Sequence, residues 1–376
     1  MGLDPLKFYN ILADKGVCFF TGVPDSLLKQ FCLCVDDNVS KNRHIIAANE
    51  GNAIALATGY YLGTGKIPLV YMQNSGLGNA VNPLLSLCDP AIYSIPLIML
   101  VGWRGEPGTE DEPQHVKQGN VQLDLIKAMD IPYLIISKSD QDFKTKISES
   151  IKIASFQKRP FAFIIKKGTF SEYPKEVLSD NVKLMKREKA LKIILSQISK
   201  DIIISTTGKT SREIFEIREK NIEPHYRDFL TIGSMGHCSS IALGIAIPNP
   251  GKKVVCIDGD GAFIMHMGSL STVGKLKPKN FYHILINNQV HESVGGQATS
   301  ASYINIPDLV KANGYKKVFF TDNEMELKSK VRMLISEEGP SFLEIKVKPG
   351  SRKDLGRPTI KPVDNKITFM KFIQEH

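Results

Sequence analysis

Short apolar runs recur along the chain, separated by longer stretches in which apolar residues return at helical spacing. In the first half the runs fall at 17–20, 44–47, 68–73, 96–101, 132–137 and 161–166. In the second half they fall at 202–205, 228–230, 253–257, 282–286, 317–320 and 341–347. Many are continuously apolar rather than alternating, the pattern of strands covered on both faces. Helical patterns lie between them, for example at 52–62 and 239–246. Regular alternation of strand and helix predicts an α/β protein with two doubly wound parallel-sheet domains. The charged stretch 168–189, which contains Pro174, is the expected linker between a domain at 1–167 and another at 190–376. From Lys348 onward a tail rich in Lys, Arg and Pro reads as a separate appendage of the second domain. No short repeat occurs, but the similar strand counts of the halves suggest a duplicated plan.

Length and composition agree with this picture: 376 residues suit two domains, and 42% hydrophobic residues mark a globular chain. No apolar run approaches the roughly 20 residues of a membrane span. The opening MGLDPLKFYN lacks the basic-then-apolar layout of a secretory leader, and Leu6 breaks the myristoylation pattern. Six cysteines show no zinc-type pairing, and most sit in apolar runs such as VVCID. They read as buried free thiols of a cytoplasmic protein. The formal charge of +9 is not gathered into blocks of five or more Lys and Arg. That pattern points to small anionic ligands rather than to nucleic acid or a membrane surface.

Candidate chemistry begins at IDGDGAF. A strand ending in Asp258-Gly259-Asp260-Gly261, followed by a helical stretch, makes an anion site, because glycine lets backbone N–H groups approach a phosphate. Asp260 would repel that phosphate unless a cation lay between them, which implies Mg²⁺. The next strand ends in ILINNQVHES, placing Asn287 and Asn288 at 27 and 28 positions after Asp260. Successive strands of a parallel sheet bring their C-terminal ends together, where ligands bind. An Asn amide oxygen and a nearby backbone carbonyl can complete an oxygen shell of the kind Mg²⁺ prefers.

On these two motifs the chain resembles the thiamine-diphosphate-dependent decarboxylase superfamily. The resemblance implies thiamine diphosphate and Mg²⁺ as cofactors. Asp260 and Asn288 become metal ligands together with the Val290 carbonyl, and Asn287 becomes structural. Gly259 and Gly261 frame the diphosphate. Glu50, which follows the run HIIAA and opens the helical stretch GNAIALATGYYLG, matches the glutamate that members hold against N1′ of the aminopyrimidine. A carboxylate there promotes proton relay within the cofactor. In GSMGHCSSIALGIA, Gly233 and Ser234 precede Met235, which matches the bulky apolar residue that shapes the bound cofactor. Gly208-Lys209-Thr210 looks like the end of a nucleotide-binding loop, but the required earlier glycine is Ile203. A nucleotide hydrolase is therefore disfavoured, while Gly208 stays a candidate for the diphosphate.

Many superfamily members carry a third, central domain, for which this chain has no room. VGWRGEPGTEDEPQHVKQG, TTGKTSRE, NNQVHESVGGQ and PGSRKDLGRPT resemble the members that act on small acidic 2-keto acids. Phosphonopyruvate is the substrate implied first and sulfopyruvate second. An acid group beyond the carboxylate calls for cationic donors. The candidates are Arg104, His115, Lys117 and His291, with Lys209, Arg212 and Arg357 as further basic residues in the matching segments. Asp25, in TGVPDS, matches a position near the reacting carbon and is paired in role with His115. The resemblance also places the Glu50 and Asp260 sites on different subunits, which implies at least a homodimer.

Overall fold

The computed structural model describes residues 2–140, 142–174, 183–198 and 200–375. The chain divides into two compact units, Met1–Leu178 with Ser293–Gln297, and Ser179–Glu292 with Ala298–His376. The first unit holds β1 (Phe20–Gly22), β2 (His44–Ile46), β3 (Leu69–Gln73), β4 (Ile98–Gly102), β5 (Tyr133–Ile136) and β6 (Phe161–Ile165). All its pairs are parallel, in the order β2-β1-β3-β4-β6-β5. The second unit holds β7 (Ile202–Ser205), β8 (Asp228–Leu230), β9 (Val254–Gly259), β10 (Phe281–Asn287), β11 (Lys317–Thr321) and β12 (Ser341–Lys346). Its parallel order is β11-β12-β10-β9-β7-β8. Read from the other end, that is the order of the first sheet with every strand number raised by six, so the duplication extends to topology.

The continuous apolar runs are explained by which face each residue takes. Leu69, Tyr71, Ile98, Leu100, Phe161 and Phe163 enter one core cluster of the first unit. Their chain neighbours Val70, Met72, Met99, Val101, Ala162 and Ile164 enter another. Helices cover both faces, so every position of these strands is core, and each fully buried Val, Leu, Ile or Phe contributes about 1.5–3 kcal/mol. In both sheets the strand order reverses beside the first strand, between β1 and β3 and between β7 and β9. Ligand crevices open at the carboxyl ends of strands at such points.

Three expectations change. The first strand starts at Phe20 rather than at 17, because ladder pairing to His44 and Leu69 begins there while Val17 only fills the core. Of the expected linker 168–189, residues 175–182 lie outside the described residues. The flanks are packed chain: Phe170 bridges Leu3 and stacks on Phe31 in the first unit, while Met185 and Arg187 are buried in the second. The tail is no appendage. Arg352 pairs with Glu188 and Glu216, and Arg212 donates to the Leu355 and Gly356 carbonyls. A helix at Pro362–Glu375 sets Phe369 against Phe229, and Asn365 Nδ2 donates to the Asp228 carbonyl at 3.0 Å. All six cysteines are free, and all except half-buried Cys18 are buried. Among the described residues no helix is long and apolar enough to cross a membrane.

Candidate active site

In the first unit, the segments following β1 to β4 carry the expected residues. Glu50 opens the helix Glu50–Thr64, with Asn49 accepting from the Asn52 N–H at 2.9 Å as its cap. The Glu50 carboxylate is buried, accepts from Asn79 Nδ2 at 2.7 Å, and lies flat on Gly76. Any Cβ at Gly76 would overlap it, so the glycine after β3 is what admits the carboxylate. Asp25 follows β1 and is fully buried beside Gly102. Its Oδ2 accepts from the Leu27 N–H at 3.0 Å, and its Oδ1 has no hydrogen-bond partner among the described residues. Burial pushes its pKa up to about 6, against the charge of Arg104.

Arg104 follows β4. Its guanidinium grips Asp111 through Nε, at 2.8 Å, and Nη2, while Nη1 donates to Ser26 Oγ at 3.0 Å. Asp111 also accepts from the Gly105 and Glu112 N–H groups. Burial opposes this charge, yet Arg104 and the Gly105 N–H hold Asp111 down at about 2. His115, in the first turn of the helix Pro113–Ala128, is buried with its Nδ1 unpartnered. Burial, then the nearby Arg104, lowers its pKa. The structure thus brings Asp25, Arg104 and His115 into one electrostatic cluster. Lys117 is left out of it, exposed on the same helix.

In the second unit, Gly208 takes φ +93° and opens the helix Lys209–Lys220 after β7. Thr207 Oγ1 accepts from the Gly233 N–H at 2.7 Å, tying this turn to the one after β8, where Ser234 is left-handed at φ +52°. Met235 and the His291 ring both close on Gly261, within 3.3 and 3.0 Å of where a Cβ would stand. Burial drives the His291 pKa down to about 4. Asp260, after β9, is buried and accepts from the Thr299 hydroxyl. Burial pushes it up to about 6, against Thr299 and the backbone N–H groups of Asn288 and Gly261. After β10, Asn287 is used up locally: its Nδ2 donates to Glu344 at 2.7 Å, and its Oδ1 accepts from the Gln289 N–H. Asn288 Oδ1 accepts from the Val290 N–H at 3.2 Å, and the Val290 carbonyl accepts from the Glu292 N–H at 2.9 Å.

These residues fit a hard cation. The donors on offer are a carboxylate, an amide oxygen and a carbonyl, the oxygen set that suits Mg²⁺. Asp260 is a buried carboxylate that accepts from the Thr299 hydroxyl, and a bound cation would offset the cost of burying its charge. Asn79, Asp111, Thr299, Glu292 and Arg187 escaped the sequence reading. Thr299 meets Asp260 from 39 residues away and Glu292 meets Arg187 from 105, and no local pattern reports such pairs.

The profile of the thiamine pyrophosphate enzyme N-terminal TPP binding domain matches residues 7–128. That of the C-terminal TPP binding domain matches residues 206–345. The chain belongs to the thiamine pyrophosphate enzyme family, and it is related to decarboxylases over nearly its whole length. It is 32% identical to the phosphonopyruvate decarboxylase of Streptomyces viridochromogenes, over 96% of this chain and 93% of that one. It is 31% identical to the phosphonopyruvate decarboxylase of Streptomyces hygroscopicus, over 97% and 92%. With the sulfopyruvate decarboxylase of Methanosarcina acetivorans the identity is 25%, over 92% and 91%.

Proposed function

We propose that this chain decarboxylates 3-phosphonopyruvate to phosphonoacetaldehyde and CO₂, using thiamine diphosphate held through Mg²⁺, as a cytoplasmic enzyme of phosphonate biosynthesis. The observation that carries this reading is the near-full-length similarity to phosphonopyruvate decarboxylases at 31–32% identity. When bound, thiamine diphosphate supplies the electron sink for the pair left behind as CO₂ departs. Asp260, Asn288 and the Val290 carbonyl hold the cation, and the turns at Gly208, Gly233-Ser234, Gly259 and Gly261 face the diphosphate. Met235 supports the ring system. Glu50, held by Asn79 on Gly76, serves the aminopyrimidine N1′.

Asp25 and His115 handle protons at the substrate. A carboxyl raised to about 6 can hold a proton close to neutral pH, and an imidazole whose pKa burial lowers is kept in its neutral form, able to accept one. Arg104 spends three N–H donors on Asp111 and Ser26, out of the five a guanidinium has. The other two would serve the substrate's acid groups, with His115 in the same cluster, and His291 remains a candidate donor from the second unit. Lys117, exposed and outside the cluster, is dropped from that set. Because the family resemblance places the Glu50 and Asp260 sites on different subunits, the proposal includes at least a homodimer in which each site draws on two chains.

The testing experiment is a coupled aldehyde assay with phosphonopyruvate, sulfopyruvate and pyruvate side by side. Phosphonopyruvate should show the highest kcat/KM and pyruvate the lowest. A preference for sulfopyruvate would support the alternative substrate, and a preference for pyruvate would end the acid-pocket reading.

A further inference from the structure

A four-charge network lies beneath the proposed cation site of the second unit, and the function above makes no use of it. Arg187 donates twice to Glu213, at 2.8 Å from Nε and 2.8 Å from Nη2, and also reaches both oxygens of Glu292, Oε2 at 2.8 Å from Nη1 and Oε1 at 3.5 Å from Nη2. Lys209 Nζ meets the other oxygen of Glu292, Oε1, at 2.9 Å. Two cations and two carboxylates balance. Burial opposes the Glu292 charge, but Arg187 and Lys209 hold its pKa down at about 2. Both of its oxygens face cationic donors, Oε2 the Arg187 guanidinium and Oε1 the Lys209 ammonium, so toward Asn288 this carboxylate acts as an acceptor.

One more donor reaches it. Asn288 Nδ2 donates to Glu292 Oε2 at 2.9 Å, while Asn288 Oδ1 accepts from the Val290 N–H at 3.2 Å. The two ends of an Asn amide are nearly alike in shape, and only their partners decide which way the group points. Here an acceptor on one side and a donor on the other demand the same orientation. The amide oxygen is turned away from Glu292 and keeps a second lone pair, and the amide nitrogen cannot take its place. Glu292 also fixes Lys209, the first residue of the helix that follows the Gly208 turn.

We propose that Glu292 is a positioning residue that sets the Asn288 amide with its oxygen toward the cation and anchors Lys209 beside the diphosphate turn, so that one carboxylate couples the metal side of the site to its phosphate side. This rests on the reading of Asp260 and Asn288 as cation ligands. Glu292 itself touches neither the cation nor the substrate in this scheme. Its charge belongs to Arg187 and Lys209, and its effect on the cation runs through the orientation of Asn288. Partners that orient a metal ligand in this way typically change metal affinity about 10–100-fold when removed.

The test titrates Mn²⁺, an oxygen-seeking stand-in for Mg²⁺, into full-length protein saturated with thiamine diphosphate. Free Mn²⁺ is read by electron paramagnetic resonance, and the melting temperature of the cofactor-free chain is recorded separately. Glu292→Gln should raise the Mn²⁺ Kd about 10–100-fold. Glu292→Asp keeps the charge but withdraws it by one methylene from Asn288, and should fall between Glu292→Gln and wild type. A purely structural role would lower the melting temperature and leave the Kd of the folded protein unchanged. A Kd within about twofold of wild type in folded Glu292→Gln overturns the proposal. If that variant does not fold, an unchanged Kd in Glu292→Asp overturns it instead. Asp260→Ala separates the two claims. It should abolish Mn²⁺ binding, and if binding survives, the cation-site reading fails and this proposal falls with it. If binding is lost there but unaltered in the Glu292 variants, only the role of Glu292 is wrong.

Discussion

The two units share a strand order and differ in what they place at the strand ends. After β3, Asn74-Ser75-Gly76 makes a bare shelf on which the Glu50 carboxylate lies. After β9, the corresponding turn is Gly259-Asp260-Gly261 and carries a carboxylate of its own. After β1 comes Asp25, fully buried, with one oxygen lacking any hydrogen-bond partner among the described residues. After β7 comes Gly208-Lys209, whose ammonium is matched by Glu292. After β4, Arg104 faces Asp25 and His115, both shifted toward neutrality by burial. The second unit instead pairs buried ions, Arg187 with Glu213 and Glu292 and Arg218 with Asp228, and gives Asp260 a hydroxyl and backbone N–H groups as partners. One topology thus serves two tasks. On the proposed reading, the first unit would keep protons poised by under-solvating its acids and bases, and the second would seat a cation and an anion.

The most drastic way to break this contrast is to empty the seat. Dialysis against chelator should abolish turnover, with Mg²⁺ and thiamine diphosphate both needed to restore it. Full activity after exhaustive chelation would remove the cation from the scheme.

Next in size is Glu50→Ala, which should cut kcat by about 10²–10⁴-fold, the usual range for losing a proton relay, with the circular dichroism of the folded chain retained. Mixing this variant with inactive Asp260→Ala chains sharpens the point. Subunit exchange should regenerate some activity, because one composite site keeps both native residues. Confirmed exchange without recovery would count against a site shared between chains.

Arg104→Ala tests the substrate side of the first unit. Losing one or two charge-assisted bonds, each worth about 1.5–3 kcal/mol, should narrow the kcat/KM gap between phosphonopyruvate and pyruvate by at least about tenfold. Equal slowing of both substrates would make Arg104 a support for the Asp111 loop only.

The smallest effect is on stability and concerns Asp25. Its native pKa, about 6, exceeds the unfolded value, so the folded chain holds the proton more tightly. The stabilisation from the neutral acid is complete below about pH 4 and is lost as pH rises to about 6. A shift of about two units corresponds to roughly 2–3 kcal/mol for this fully buried group. Asp25→Asn should therefore melt higher than wild type at pH 7.5, show little gain at pH 4, and lose activity. An equal gain at both pH values would show that the acid carries no shifted charge.

Much of the architecture was legible because two-sided burial leaves a mark on every residue of a strand. LVYMQ, IMLVG and FAFII read as interior strands, and the twelve runs located the twelve parallel strands, although β2, β5, β8 and β11 are only partly buried. The GDG turn and the NN pair were legible for a related reason: the chemistry of a strand end lies within a few residues of the strand. Where a packing boundary depends on partners far along the chain, the reading slipped. The start of β1 is set by pairing with His44 and Leu69. The tail's place is set by Arg212, Glu188 and Glu216, at sequence distances where charge composition alone suggests a free segment.

The same division runs through the site. The GDG turn and the NN pair offered a cation and a diphosphate site in the sequence itself, because glycine, carboxylate and amide at a strand end have few other uses in combination, whereas Glu50, Asp25 and His115 were marked by the family resemblance. Their state was decided by the tertiary structure. Only packing makes Asp25 a raised acid, commits Arg104 to Asp111 and Ser26, and leaves Lys117 in solvent. Only the meeting of β10 with Arg187 and Lys209 turns Glu292 from one acidic letter after a histidine into the acceptor that orients Asn288. A side chain's capacity is covalent and local, whereas its charge, orientation and freedom depend on neighbours that only the fold brings near.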